Sequence, residues 1–526
     1  MLCLMHAKQG IEYMETQVLI IGAGATGTGL ARDLALRGIQ CIVAEKGDIN
    51  AGASGSNHGL LHSGARYVST DPTVTKECRE ESDILKRFAP HCIENTGGLF
   101  VAVEGDDEKY VANFPNLCSK CSIPVRSLDI KDARELEPAL SKNLIAAYAV
   151  DDATIDPFKL SLENIFQAQQ LGTTLLCHNK VVGFKKSGNR IQAAYLRNIK
   201  TGDEIIVEAE QVVNAAGVWV GEVAALVGIS IDMLYSKGSL LVTDNRLTKR
   251  VINRLRRPSD GDILVPGNTV SILGTTSVRI ESLNEVHPTI EEVDLIVNEG
   301  TTMIPVLETT RYIRAYAGVR PLISAQGEID DRSVSRGFAL LDHVQNGLEN
   351  FATIPGGKLT TYRFMAEKAA DLVCQRLGVS SPCLTKTEPL PFTQAGRWTE
   401  PSLGPRQWLD EKNTDGSLLC ECEMLSTSVI DSVIKTIQKQ NGTLDLKAIG
   451  LRSRVGKGPC QGTSCGGRVT GYMYEQGLLN SDKGLANLRE FLCERWTGER
   501  PILWSEQIIQ AELKEALYCG LSNLEL

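Results

Sequence analysis

The chain has 526 residues, 42% hydrophobic and 23% charged, with a formal net charge of −9. Such a chain buries a large core split among more than one domain, and its acidic balance gives no global field for nucleic acid. Fifteen cysteines without an export signal point to a reducing compartment, where thiols act as ligands, redox groups or core filler.

The segment before Met14 has His6 and Lys8 inside its short apolar run and does not read as a signal peptide. Residues 1–13 are therefore read as an extension, with Met14 a candidate start. Val18–Ile21 is a β-branched apolar run, Gly22–Gly27 a glycine-rich turn, Thr28–Arg37 a helical segment and Cys41–Ala44 a second strand. This order opens a doubly wound sheet. Gly22, Gly24 and Gly27 stand at the spacing that lets a turn tighten, a backbone approach a pyrophosphate, and a helix pack on a strand. Glu45 ends the second strand, where a carboxylate accepts hydrogen bonds from ribose hydroxyls and disfavours a 2′-phosphate. FAD or NAD is favoured over NADP.

Strands and helices alternate downstream, with strands expected at Val181–Phe184, Glu204–Val207 and Val212–Asn214. The most apolar long stretch, Val212–Leu234, is interrupted by Asn214, Glu222 and Asp232, so no membrane-spanning helix of about 20 apolar residues is expected. The fold class is α/β: a Rossmann-type nucleotide domain over 14–388 with an inserted β-rich substrate subdomain. Pro389, Pro391, Pro401 and Pro405 mark a linker over 389–416. A small helical cysteine module follows over 417–476, and a tail over 477–526 carries helical patterns at Leu485–Trp496 and Gln507–Leu517.

In the module, Cys420-Glu421-Cys422 and the pair Cys460 and Cys465 can converge as four thiolates. Such a set suits a [2Fe–2S] cluster, with zinc or plain core packing as alternatives. Arg452, Arg454, Lys457 and Arg468 flank the second pair, and their charge partly neutralises a cluster. Cys118 and Cys121 form a single CxxC with no second pair nearby and are read as structural.

Several motifs together resemble the FAD-dependent glycerol-3-phosphate dehydrogenases of the glycine/D-amino-acid-oxidase superfamily. They are Val18–Gly29 with Glu45, the segment Gly52–Tyr67 (GASGSNHGLLHSGARY), Asn214–Gly217, Gly274–Thr276, Gly318–Leu322 and Pro355–Arg363. The resemblance selects FAD and implies that Ser54, Ser56, His58 and Gly59 pass under it. It also implies that Ala216, Gly217, Gly356, Gly357 and Leu359 enclose the flavin, with Lys46 and Val181 beside the dinucleotide. Its implied substrate pocket contains His62, Arg66, Tyr67, Arg320 and Lys358. Arginine forks and a lysine suit a phosphate dianion, and an imidazole suits the proton of a secondary alcohol. His62, Arg320 and Lys358 are the expected catalytic residues, with His58 the competing base. Where aerobic relatives place a histidine after Lys237-Gly238-Ser239, this chain has Leu240.

The cysteine module resembles the bacterioferritin-associated-ferredoxin-like [2Fe–2S] domain, although four residues rather than two separate its last two cysteines. A flavoprotein followed by such a module resembles the A subunits of three-component anaerobic glycerol-3-phosphate dehydrogenases, and the motif Glu494–Trp504 is similar too. The resemblance implies oxidation of sn-glycerol 3-phosphate to dihydroxyacetone phosphate. The implied partners are a second flavoprotein and a membrane-attached iron–sulfur subunit, with menaquinone reached indirectly at the cytoplasmic face. Alternatives are a flavin dehydrogenase or oxidase of another small 2-hydroxy acid or amine, a non-catalytic electron relay, and an iron-handling protein.

Overall fold

The computed structural model describes residues 11–284, 286–323, 337–391, 416–440 and 442–525. Most of the expected linker, 392–415, lies outside the described residues.

The strand Ile11–Ile21 begins three residues before Met14 and pairs in parallel with both Glu204–Asn214 and Cys41–Ala44. Thr174–Leu176 extends this parallel sheet beyond Cys41–Ala44, and Phe351–Thr353 pairs with the second half of Glu204–Asn214. The two strands expected at Glu204–Val207 and Val212–Asn214 are one. Its first half is held by the antiparallel strand Arg190–Asn198, its second by Phe351–Thr353, and Glu208–Gln211 bridges them without a break. Val18 and Ile20 point to one buried face, where the helices Ala25–Leu36, Pro157–Gln170 and Tyr362–Leu377 pack; Leu19 and Ile21 point to the other. The period of two and the lack of polar positions are what a strand covered on both faces requires.

A second, nine-stranded sheet forms the substrate side, mostly antiparallel, with one parallel pair between Gly98–Val101 and Val251–Arg254. Its long partners Met233–Thr243 and Tyr312–Ile323 pair along their length. The second of these runs hard against the loop that follows Cys41–Ala44: a Cβ at Gly318 would overlap the Ser56 carbonyl oxygen. Tyr316 donates its hydroxyl to the Asn57 carbonyl at 2.9 Å. These contacts fix the loop between the two sheets.

The C-terminal region is helical apart from the small hairpin Leu418–Cys420 and Leu425–Ser426. Leu488, Phe491, Leu492 and Tyr518 of the tail share one hydrophobic core with Ile430, Val433, Ile449 and Val469 of the module. The position 476/477 thus falls inside a single packed unit. The module docks on the nucleotide domain through a buried bidentate pair: Arg452 donates to both oxygens of Asp48 at 2.7 and 2.6 Å. Burial pushes the Asp48 carboxyl up, but Arg452 more than offsets this and holds it below its ordinary range. No helix among the described residues is long and apolar enough to cross a membrane.

Candidate active site and cysteine centre

Gly22 adopts φ +109°, and a side chain there would strike the Ala215 carbonyl oxygen at 2.6 Å. At Gly27 a Cβ would overlap the Gly22 carbonyl oxygen, so this glycine packs helix onto turn and does not line a cavity. The helix Ala25–Leu36 has no side-chain cap at Gly24, and its N-terminus faces a cavity of about 520 Å³ lined by Gly22, Gly24, Glu45, Lys46, Val181 and Ala216. Backbone N–H groups and the positive end of the helix dipole make this a place for a pyrophosphate. Ser54 already accepts the Ala25 N–H at 2.9 Å, which pins the Ala53–Gly55 turn beside it.

Glu45 accepts hydrogen bonds from Ala23 N (2.8 Å) and Gly47 N (2.7 Å), while burial pushes its carboxyl up. Lys46 lies 3.4 Å from the centre of the Trp219 ring. Trp219 lines the cavity beside it, and sequence reasoning missed it because a lone tryptophan after Gly217-Val218 carries no spacing signal.

A second cavity, of about 230 Å³, shares Ala25, Thr26, Ala53, Ser54 and Gly217 with the first, so the two form one elongated space. The smaller end is lined by Ser56, His58, His62, Tyr67, Arg320 and Lys358, with Gly356, Gly357 and Leu359 across it. Gly356 and Gly357 have φ +80° and +84°, which lets their backbone fold back under Lys358. An elongated cavity with a glycine-rich turn at one end and cations at the other fits FAD with a small anion beside it.

Lys358 Nζ stands 4.5 Å from the centre of the Tyr67 ring, and the Tyr67 hydroxyl is 3.4 Å from His62 Nε2. His62 follows the short strand Leu60–Leu61, and its backbone N–H is held by Thr360 Oγ1 at 3.2 Å. His58 Nδ1 accepts the Leu60 N–H at 3.2 Å, so in the neutral ring its proton sits on Nε2 and no acceptor nitrogen is left. Arg320 is aimed by Thr275 Oγ1 and by the Thr276 carbonyl at 3.0 Å, and it lies flat where a side chain at Gly238 would be. Thr275 belongs to the Gly274–Thr276 motif, yet its role as the group that aims Arg320 emerges only from the fold. Leu240 lines the same cavity and is fully buried, so this wall of the cavity is apolar.

Arg66 is not brought to this cavity. Its Nη2 pairs with Asp262 at 2.9 Å, with 9% of the side chain exposed. Asp262 also pairs with Arg256 at 2.8 Å. A fully buried carboxylate needs such cations. Gly59 packs under the Ile155 carbonyl and lines the opposite face of its loop.

In the cysteine module Cys420 and Cys422 stand 3.6 Å apart sulfur to sulfur, and Cys422 and Cys460 3.7 Å. Cys465 lies near enough to Cys420 and Cys460 to act on their thiols, so the four cysteines form one cluster. Hydrogen bonds from Cys422 and Cys465, with the N–H groups of Ser464 and Gly462, hold the Cys460 thiol far below its ordinary value; Cys422 is pushed up. A Cβ at Gly458 would meet Cys422 Sγ at 2.7 Å, so a glycine is needed for the two loops to approach. The donor set, its ready thiolate and the flanking cations Arg454 and Arg468 fit an iron–sulfur cluster. Among the described residues no set of three or more His, Cys, Asp or Glu side chains closes around one metal ion. Of the other described cysteines, Cys383, Cys493 and Cys519 are half-buried and the rest are buried; Cys118 is one of the buried ones, its thiol pushed up to about 12.

A family model described as FAD dependent oxidoreductase (DAO) matches residues 17–368. The chain is 42% identical, over 98% of each chain, to the A subunit of the anaerobic glycerol-3-phosphate dehydrogenase of Escherichia coli (strain K12). It is 35% identical to the A1 subunit of the anaerobic glycerol-3-phosphate dehydrogenase of Haloferax volcanii, over 96% of this chain and 90% of that one. The solved glycerol-3-phosphate dehydrogenase of Bacillus halodurans complexed with FAD shares the fold, with a TM-score of 0.63 and 21% identity over 93% of this chain and 96% of that one. The chain therefore belongs to the DAO family of FAD-dependent oxidoreductases, in the group of anaerobic glycerol-3-phosphate dehydrogenase A subunits.

Proposed function

We propose that this protein oxidises sn-glycerol 3-phosphate to dihydroxyacetone phosphate and passes the electrons through its cysteine centre to partner subunits and on to a quinone. The observation that carries this reading is the joining of a dinucleotide-shaped cavity to a small end holding Arg320, Lys358, Tyr67 and His62. FAD, when bound, supplies the two-electron acceptor for the hydrogen on C2 of the substrate.

The chain's own residues do the rest. Arg320 and Lys358 hold the phosphate dianion, Arg320 as a fork fixed by Thr275 and Thr276, Lys358 as a point charge over the Tyr67 ring. His62 Nε2 takes the hydroxyl proton as the hydride leaves C2, so the alcohol loses two electrons and two protons in all and the C–O bond becomes a carbonyl. His58, with Nδ1 engaged, orients its loop instead. The buried Leu240 keeps water from one wall. A [2Fe–2S] cluster on Cys420, Cys422, Cys460 and Cys465 would supply a one-electron carrier. The partners inferred are a second flavoprotein and a membrane-attached iron–sulfur subunit, with this chain peripheral at the cytoplasmic face.

The test is anaerobic mixing of the FAD-loaded protein with glycerol 3-phosphate, glycerol and lactate while flavin absorbance is followed. Rapid bleaching by the phosphate ester alone is expected; bleaching by lactate or none by the ester overturns the substrate assignment. His62→Asn should slow the limiting bleaching rate by roughly 10²–10⁴-fold and remove its pH dependence.

A further inference from the structure

Outside the flavin cavity lies a cleft of about 490 Å³ between the oxidoreductase body and the C-terminal module. That volume falls in the range of small-molecule sites, about 300–1,000 Å³. The loop Ser56–His58 lines this cleft on one face and the flavin-side cavity on the other. Its far wall comes from the module and the tail, including Arg454, Lys457 and Arg495.

Five cations line the cleft, Arg314, Lys447, Arg454, Lys457 and Arg495, against two carboxylates, Asp156 and Glu494. Arg314 is matched by Glu494 at 3.0 Å, and Arg454 by Glu423 at 3.1 Å and Asp156 at 3.8 Å. Lys447, Lys457 and Arg495 have no carboxylate partner among the described residues. Arg495 lies 4.8 Å from the Phe491 ring centre, with its Nε buried and without an acceptor. Phe491 is itself wedged against Gly456 and Gly462, where no Cβ would fit, so the guanidinium is held on a rigid platform.

Lys457 sits 3.3 Å from the centre of the Phe158 ring and donates to the Ser453 carbonyl at 2.6 Å; burial pushes its amine down to about 7 against the pull of Asp156 and Glu423. Asn50, 2% exposed and part of the lining, has a buried Oδ1 with no donor. Phe158, Tyr316 and Phe491 supply aromatic surface beside these groups. Unmatched cations, an unmet acceptor and rings together describe a ligand with an anionic group, a donor edge and a flat body.

We propose that this cleft is a second ligand site, taking a phosphate monoester that carries a planar ring, of mononucleotide size. Arg495 and Lys447 grip the phosphate, the ring lies against the aromatic side chains, and Asn50 accepts from the ring's donor edge. The site is built jointly by body and module and does not depend on what the flavin oxidises.

The probe is AMP, titrated calorimetrically into the full-length, FAD-loaded protein, with adenosine and inorganic phosphate as comparisons. One AMP per chain should bind without release of FAD, adenosine and phosphate should each bind more weakly, and Arg495→Ala should weaken AMP by roughly tenfold or more. Lys447 is exposed, so Lys447→Ala tests the same charge with no burden on folding and should weaken binding severalfold. No saturable binding, displacement of FAD by AMP, or unchanged affinity in both variants would overturn the site. Phosphate binding as tightly as AMP would overturn the assignment of a ring.

Discussion

At the nucleotide end, Gly22, Gly24 and Gly27 act within a single turn between one strand and one helix, whereas the four thiols of the module come from two segments, 420–422 and 460–465, on either side of the helices Thr427–Lys439 and Leu446–Arg452. The first site is assembled by local sterics. The second exists only when a whole helical unit has packed, tail included, and when Gly458 lets the two loops meet. The same contrast appears between two arginines of the substrate motifs. Arg320 is delivered to the cavity by a long strand pairing, while Arg66, on a short turn, is claimed by Asp262.

The largest effect should come from the local site. Gly27→Ala places a methyl where the Gly22 carbonyl stands, and the purified protein should carry no FAD by absorbance; normal flavin content would show that the turn can yield. Cys460→Ser should abolish bound iron and acid-labile sulfide yet leave FAD content unchanged, separating the two sites in one preparation. If zinc, not iron, is found in the parent protein by elemental analysis, the cluster assignment fails. Next, Arg320→Met should raise the KM for glycerol 3-phosphate by about 100-fold or more, while Arg66→Met should act mainly on stability by leaving buried Asp262 with Arg256 as its one remaining cation. Equal kinetic losses in the two variants would erase the distinction drawn between them.

Much of the nucleotide half is legible because its constraints lie close together in sequence: strand, glycine turn, helix and Glu45 can be read in order. The small end of the cavity is legible only through motif resemblance, since His62, Arg320 and Lys358 are far apart in the chain and no periodicity connects them. Trp219 and Thr275 escape because their roles depend on what packs opposite them. The fate of Arg66 cannot be read either, as nothing near it announces that Asp262 is buried and in need of cations. The strand Glu204–Asn214 reads as two because polar Glu208 and Gln211 interrupt its apolar run, whereas its pairing partners change at that point and the backbone does not.

The docking of the module gives a smaller, graded prediction. Arg452→Met leaves Asp48 buried and unpaired, which should cost about 3–5 kcal/mol, read as a lower melting temperature and faster proteolysis. Adding Asp48→Asn should recover part of it. Because Asp48 is held below its ordinary value, its contribution is complete above the normal aspartate range and is lost as pH falls through the lowered value. The Asp48→Asn, Arg452→Met protein should therefore show a flatter acid limb in thermal melts between about pH 5 and pH 2; an unchanged limb would place the acid sensitivity elsewhere.

The Asp48–Arg452 pair also has a bearing on lineage. Asp48 sits three positions after Glu45, inside the most locally determined part of the chain, but its buried charge is matched by an arginine that arrives from the C-terminal unit. A relative that lost its cysteine module would be left with a buried anion beside its nucleotide turn. Residue 48 should thus covary with the presence of the module, aspartate where the module is fused and a neutral or exposed residue where it is absent, which makes one position in the first βαβ unit a marker of gene architecture several hundred residues away.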